Sequence, residues 1–299
     1  MYKLIKLGER TWYMAAPCNV GFWLSSAGEV CMIDSGGDKS AAQRALEHIQ
    51  REGWKLSAVY LTHSHADHSG GAAYLHEQTG CSVYAPGVCA AAVTHSFLTA
   101  VTLYGGHTTA EMAGRLLVPP SCPCSEISAE NMPQGLSFER LDGHDMAHCG
   151  YLTADGVWFT GDAVISEQAL EKHRISFLHD VAEHLRTLDK LSMLHAERRL
   201  QGSLFVPAHD EPLSDISRLV EVNRSAVLEV AEDIKKMCDL PATIDEVIER
   251  SLEKYHIRLY LMQYLLVGQT VRSHISRLLE LGELKAVYSG TKLMFQAQY

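Results

Sequence analysis

The residues most able to do chemistry lie in one short run, Thr62-His63-Ser64-His65-Ala66-Asp67-His68-Ser69-Gly70-Gly71. Three of the chain's 16 histidines and an aspartate fall within six positions there. Neutral imidazole and carboxylate are the donors that a borderline divalent metal such as zinc prefers. His63 and His65, alternating off a strand end, can point the same way at one ion. Asp67 and His68 follow one turn on, placed for a second ion close by. Gly70-Gly71 then lets the backbone turn into a helix.

Donors of this kind need rigid neighbours, and the flanking pattern supplies them. Residues 56–62 read as a strand that ends where the histidines begin. Upstream, strands over 3–7 and 11–14 flank the turn Gly8-Glu9-Arg10, and strands over 19–24 and 30–34 flank a turn at 25–28. Ala41, Ala45 and Ile49 recur at helical spacing over 38–51, with Asp38 as N-cap. A helix is expected over 70–78 and a short strand over 82–84. The stretch 86–133 is less regular, with a helix near 90–103 and then Gly105-Gly106 and the proline-rich 118–124. Long irregular loops in compact domains are usually functional, so this one is expected to form a wall or lid of a substrate pocket. Strands return over 136–141, 151–153 and 157–160, a helix covers 180–194, and a buried strand over 204–207 precedes His209. From about 213 the pattern is helical. Ile216, Leu219, Val220, Val227, Val230 and Ile234 line one face of a long helix that Pro241 ends. Further helices over 245–252 and 268–281 precede a hairpin over 284–288 and 292–296. A domain boundary near residue 212 divides the chain into 1–212 and 213–299.

The histidine run matches, residue for residue, the His-x-His-x-Asp-His signature of the metallo-β-lactamase fold superfamily, and the chain resembles that family, which includes glyoxalase II, lactonases, RNase Z and flavodiiron proteins. Gly143-His144-Asp145-Met146-Ala147-His148-Cys149-Gly150 is similar to the family loop whose second histidine is a ligand. Thr160-Gly161-Asp162 looks like the strand-end motif whose aspartate bridges two metals, and Pro207-Ala208-His209 resembles the final ligand motif. The resemblance covers about residues 1–212. It implies an α/β (α+β) fold, a four-layer αββα sandwich; behind it, the order helix then hairpin in the tail resembles a winged helix. It also implies two divalent ions, zinc foremost and manganese or iron as alternatives. One ion would be held by His63, His65 and His148, the other by Asp67, His68 and His209, with Asp162 shared. His144 either orients a ligand or is a plain loop residue, and Asp34 matches a family aspartate near the metals.

The implied activity is hydrolysis of an ester, thioester, lactone or phosphoester bond in a small molecule by a metal-bridging hydroxide. Asp67 would serve as both ligand and catalytic carboxylate, orienting the nucleophile. Class B β-lactamases commonly have cysteine at the position of Asp162, and flavodiiron proteins have glutamate at the position of His65. Both differences argue against those chemistries. A mononuclear iron persulfide dioxygenase keeps the same first ligands and stays open as an alternative.

Composition sets outer limits. A hydrophobic fraction of 46% suits a folded globular chain, and a formal charge of −10 argues against a life on nucleic acid. A winged helix could read DNA with residues 270–281, using 284–296 as the wing and Arg272, Arg277, Lys285 and Lys292 as its cations. Residues 213–299, however, hold 11 lysines and arginines against 12 aspartates and glutamates. Packing against the hydrolase domain, or pairing two subunits as a homodimer, is the expected role of the tail. The eight cysteines follow no disulfide framework, the first residues carry no signal peptide, and no run is long enough to span a membrane. A cytoplasmic home is expected. Cys122-Pro123-Cys124 reads as structural, Cys149 as pointing away from its neighbour, and His173, His179 and His184 as solvated or helix-surface residues, with a place at the pocket mouth as the alternative for His173.

Overall fold

The computed structural model describes residues 2–25, 28–109, 118–198 and 203–299; the expected turn at 25–28 and the stretch 86–133 lie partly outside the described residues. Its strands are β1 (Lys3–Lys6), β2 (Thr11–Ala15), β3 (Val20–Leu24), β4 (Glu29–Ile33), β5 (Lys55–Tyr60), β6 (Ser82–Ala85), β7 (Ser125–Glu126), β8 (Leu136–Arg140), β9 (Cys149–Thr153), β10 (Val157–Gly161), β11 (Leu204–Pro207), β12 (Leu284–Ser289) and β13 (Lys292–Ala297). The described helices are α1 (Lys39–Arg51), α2 (Ala66–Ser69), α3 (Ala72–Thr79), α4 (Val88–Thr94), α5 (Phe97–Tyr104), α6 (Glu167–His173), α7 (Val181–Arg198), α8 (Ser217–Met237), α9 (Ile244–Lys254) and α10 (Leu261–Glu280).

Side chains alternate faces along a strand, and here the alternation separates two cores. Val30 and Met32 of β4 point to one side, Cys31 and Ile33 to the other; in β5, Leu56 and Val59 oppose Ala58 and Tyr60. β1 to β7 form one sheet in that order, antiparallel from β1 to β4 and parallel from β4 to β7. A second sheet has the order β11-β10-β9-β8, with β10 and β11 parallel. Tyr13, Trp23 and Tyr60 of the first sheet meet Tyr151, Phe159 and Val206 of the second in the core between them. The outer face of the large sheet is covered through Ala42, Ala45 and Ile49 of α1 and Leu75 of α3. That of the small sheet is covered through Leu185 and Leu188 of α7 and Leu219 and Val220 of α8. The layers are therefore αββα, as expected. Asp38 caps α1, its carboxylate accepting from Ala41 N at 2.9 Å, a contact worth about 1 kcal/mol.

Three expectations change. The single helix over 90–103 is two, α4 and α5, because His95 between them leaves helical geometry at φ −125° and ψ 70°. α10 begins at Leu261 rather than 268, since the apolar residues Leu265 and Val267 share a buried face with Val271 and Ile275. His184, expected on a helix surface, is buried.

The tail is docked, and α8 belongs to both cores. Leu219, Val220 and Val227 pack onto the sandwich, while Val230 and Ile234 pack into the tail with Ile248, Val271 and Phe295. Thr270 Oγ1 accepts from Leu178 N at 3.0 Å, and Ser273 Oγ accepts from Val181 N at 2.8 Å. Among the described residues no helix is long and apolar enough to cross a membrane.

Candidate metal centre

Because β4 and β5 are parallel, and β10 and β11 likewise, the loops that follow them open at one edge of the sandwich. Hydrogen bonds between the sheets close that edge. Cys149 N donates to Thr62 O at 3.0 Å and Asn19 N to Ala208 O at 2.7 Å. A Cβ at Gly70 or Gly71 would collide with the carbonyl of Gly37 or Ser35, so glycine there lets the loop after β4 lie directly on the turn into α3.

Two groups of donors meet at this edge. In the first, His65 Nδ1 lies 2.9 Å from His63 Nε2 and 3.0 Å from His144 Nε2. Behind His65, Nε2 faces Asp145 Oδ1 at 3.8 Å. The Asp145 carboxylate accepts from Ser64 N, Ser64 Oγ and Met146 N, tying the His144 loop to the histidine run. Phe177 covers the group edge-on, its ring centroid 5.2 Å from that of His65 and 5.8 Å from that of His144.

The second group joins Asp67, His68, Asp162 and His209. His209 Nε2 lies 3.2 Å from Asp67 Oδ2 and 3.4 Å from Asp162 Oδ1, and His68 Nε2 lies 3.4 Å from Asp162 Oδ2. His68 Nδ1 donates to Asp34 Oδ2 at 2.8 Å, and His209 Nδ1 donates to the carbonyl of Pro17 at 2.7 Å. Both rings therefore turn Nε2 toward the carboxylates. This outer carboxylate–histidine pairing is a common way to fix a ligand's tautomer and orientation. Asp34 takes a left-handed φ of +62°, a conformation costing on the order of 1–3 kcal/mol for a residue other than glycine. Thr62 holds it there, donating from N and Oγ1 to its carboxylate.

Asp162 touches both groups, since its Oδ2 also lies 3.3 Å from His144 Nε2. The structure thus brings together His63, His65, Asp67, His68, Asp162 and His209 of the expected set. It departs from that set at His148, which belongs to neither group. His148 Nε2 accepts the backbone N–H of Asp162 at 3.1 Å, and a Cβ at Gly161 would sit 2.6 Å from that nitrogen. Its lone pair is occupied in shaping the Asp162 turn. The reason is position: His148 directly precedes β9, with its carbonyl already accepting from Leu141 N. His144, four residues earlier in the loop, is free to turn inward and takes the third place.

Cys18, Asp145 and Phe177 went unread in the sequence. Cys18 Sγ lies within 4.8 Å of the donor nitrogens of His68 and His209. Nothing in its local sequence signals this, because the approach comes from packing of the loop before β3. Cys149 points into the core between the sheets, where burial pushes its thiol up. His173 is exposed, and His179 Nδ1 accepts from Gln269.

The two groups differ electrostatically. Burial and the neighbouring imidazoles push His63 well below its ordinary pKa, and burial lowers His144 to about 3 against the pull of Asp162. In the second group burial is outweighed. Hydrogen bonds to Asp162 and Asp67 raise His209 to about 11, and the nearby Cys18, Asp162 and Asp34 raise His68 well above its usual range. Asp162, which is buried, and Asp67, which is half-buried, are both held low against desolvation, chiefly by His68 and His209.

The donor set fits divalent cations. His68 Nε2 is buried without a hydrogen-bond partner, its nearest carboxylate oxygen being Asp162 Oδ2 at 3.4 Å, and the first group turns three ring nitrogens toward one another. Buried polar atoms left this way call for a ligand. Beside Asp67, a groove of about 670 Å³ is lined by Gly37, Lys39, Gly70, Tyr74, Pro119 and Pro120.

Residues 15–209 match the family model described as the metallo-beta-lactamase superfamily. A hydroxyacylglutathione hydrolase of Albidiferax ferrireducens is 28% identical over 187 residues, covering 60% of this chain and 58% of that protein. The chain thus spans less than two thirds of that relative's length. A beta-lactamase domain protein from Burkholderia ambifaria superposes with a TM-score of 0.72 at 17% identity, over 99% of this chain and 94% of that one. A metallo-beta-lactamase family protein from Thermus thermophilus gives 0.66 at 20% identity, over 97% of this chain and 99% of that one. Both likenesses extend over the tail and concern the fold. With the family match spanning most of the chain and ending on His209, this chain belongs to the metallo-β-lactamase superfamily.

Proposed function

We propose that the chain is a binuclear metal-dependent hydrolase acting on an ester-type bond of a small molecule, with a thioester as the favoured class. The observation that carries this is Asp162, one carboxylate in contact with both donor groups. His63, His65 and His144 would hold one ion, Asp67, His68 and His209 the other, with Asp162 between them. Imidazole and carboxylate donors favour zinc, with manganese or iron as competitors for the same set. When bound, such ions polarise the oxygen of the electrophile and bring the pKa of water toward neutrality.

The chain's own residues supply the rest. Asp67 keeps 45% of its side chain exposed, so its carboxylate can orient a water and afterwards hand on a proton. Phe177 keeps solvent off the first group. The groove beside Gly37 and Gly70 carries one cation, Lys39, whose Nζ lies over the Tyr74 ring at 5.2 Å, together with the carboxylates of Asp38 and Glu77. Pro119 and Pro120 in that groove support the 86–133 stretch as a pocket wall. The thioester preference rests on the hydroxyacylglutathione hydrolase relative. A one-iron persulfide dioxygenase would leave one donor group without a role.

The tail, three helices and a hairpin, keeps the element order of a winged helix, and we assign it to bracing the site rather than to reading nucleic acid. Thr270, Ser273 and His274 of α10, on the face a reader would present, are buried or bonded to residues flanking Phe177. Tyr288 and Leu293, exposed on the hairpin, are the apolar side chains there available for pairing two subunits. All eight cysteines are free thiols, which supports a reducing compartment such as the cytoplasm. The test is a screen of zinc-loaded protein against ester, thioester, lactone and phosphodiester substrates. Thioester cleavage abolished in a His65→Ala variant is expected. Oxygen uptake with a persulfide and no hydrolysis would overturn the proposal.

A further inference from the structure

Cys18 is the one cysteine that shares a donor group with histidines among the described residues. It is 3% exposed. Four hydrogen bonds fix its loop against the His209 loop. The Asn19 side-chain amide donates to Pro207 O at 2.9 Å and to Asp210 O at 2.6 Å, Asn19 N donates to Ala208 O, and His209 Nδ1 donates to Pro17 O. Its Sγ lies 3.9 Å from the carbonyl of Asn19, a contact too long to hold a thiol firmly, and its other polar neighbours are the donor nitrogens of His68 and His209. An independent feature points to the same spot. His68, one of the two histidines with a donor nitrogen within 4.8 Å of the thiol, is fully buried, and its Nε2 lacks a hydrogen-bond partner.

We propose that Cys18 is a sulfur donor to the ion held by His68 and His209. This rests on the two-ion reading above and adds to it a ligand from a loop that carries none of the other donors. On coordination the S–H bond breaks, its proton passes to water, and the thiolate bonds to the metal. A soft thiolate selects zinc or cobalt over manganese, so this residue also decides which metal the second group prefers.

The test is a cobalt(II) titration of full-length, chelator-stripped protein followed by absorption spectroscopy. The visible cobalt bands report uptake of each ion. An intense near-ultraviolet thiolate-to-cobalt charge-transfer band reports sulfur ligation. The expected result is that this band grows with the second equivalent and is absent in Cys18→Ser and Cys18→Ala. In both variants the second ion should bind at least about tenfold more weakly, while Cys124→Ser matches the wild type. Should either variant misfold, the wild-type spectrum alone decides. Two cobalt ions bound without the charge-transfer band would overturn the sulfur ligand and leave the two-ion site standing. Failure to take up cobalt at all would overturn both.

Discussion

The two donor groups that meet at Asp162 solve opposite problems. His63, His65 and His144 include no carboxylate among their donors, Asp145 standing behind His65, and burial holds His63 and His144 far below the pH at which an imidazole normally takes a proton. The lone pairs of His63 and His144 are ready for a cation at neutral pH. The second group is compensated without metal, because Asp67 and Asp162 draw protons onto His68 and His209. An ion entering there must displace those protons. The first group is preorganised by exclusion of water, the second by charge, and a single carboxylate couples them.

Removing that carboxylate is the harshest way to break the pairing. Asp162→Ala should weaken both ions and lower activity by more than the roughly hundredfold that follows loss of an outer partner. Retention of either ion at wild-type affinity would show the groups to be independent. Asp34→Ala separates them. It removes the acceptor of His68 Nδ1 and should weaken the second ion by about 10–100-fold with the first unchanged, as read by competition with a chromogenic chelator.

Proton displacement gives a gentler contrast. With His209 raised to about 11, the second group is protonated throughout the neutral range and sheds that proton as pH rises. Affinity there should climb about tenfold per pH unit for each proton displaced. The first group, with His144 near 3, should be nearly flat over the same range. Equal slopes for both equivalents would mean the groups do not differ as described. The smallest effect is expected from Phe177→Ala, which uncovers His65 and His144. Exchange of the first ion should quicken by a few-fold while the second is untouched.

The sequence showed the second group better than the first. Four donors in six residues at a strand end leave little freedom, so His63 and His65 fall in one group and Asp67 and His68 in the other; the strand-end motifs of Asp162 and His209 complete the second. The sandwich was readable for a similar reason, since alternating apolar residues in β4 and β5 assign each face. His144 and His148 could not be separated that way. Both flank Asp145-Met146-Ala147, and what distinguishes them is where β9 starts and which ring already accepts the Asp162 amide. Cys18 and Phe177 reach the site through packing alone. Phe177 does so on a segment held by Thr270 and Ser273, more than 90 residues away. The early start of α10 was hidden because Leu265 and Val267 are buried by partners distant in sequence.

Metal content by plasma mass spectrometry, on wild type beside His144→Ala, His148→Gln and His209→Ala, is the most direct test. About two equivalents of zinc are predicted for the wild type and for His148→Gln, with one lost in each of the other two variants. One equivalent in the wild type, or loss of an ion with His148→Gln but not with His144→Ala, would contradict the two-group centre and return the third place to His148.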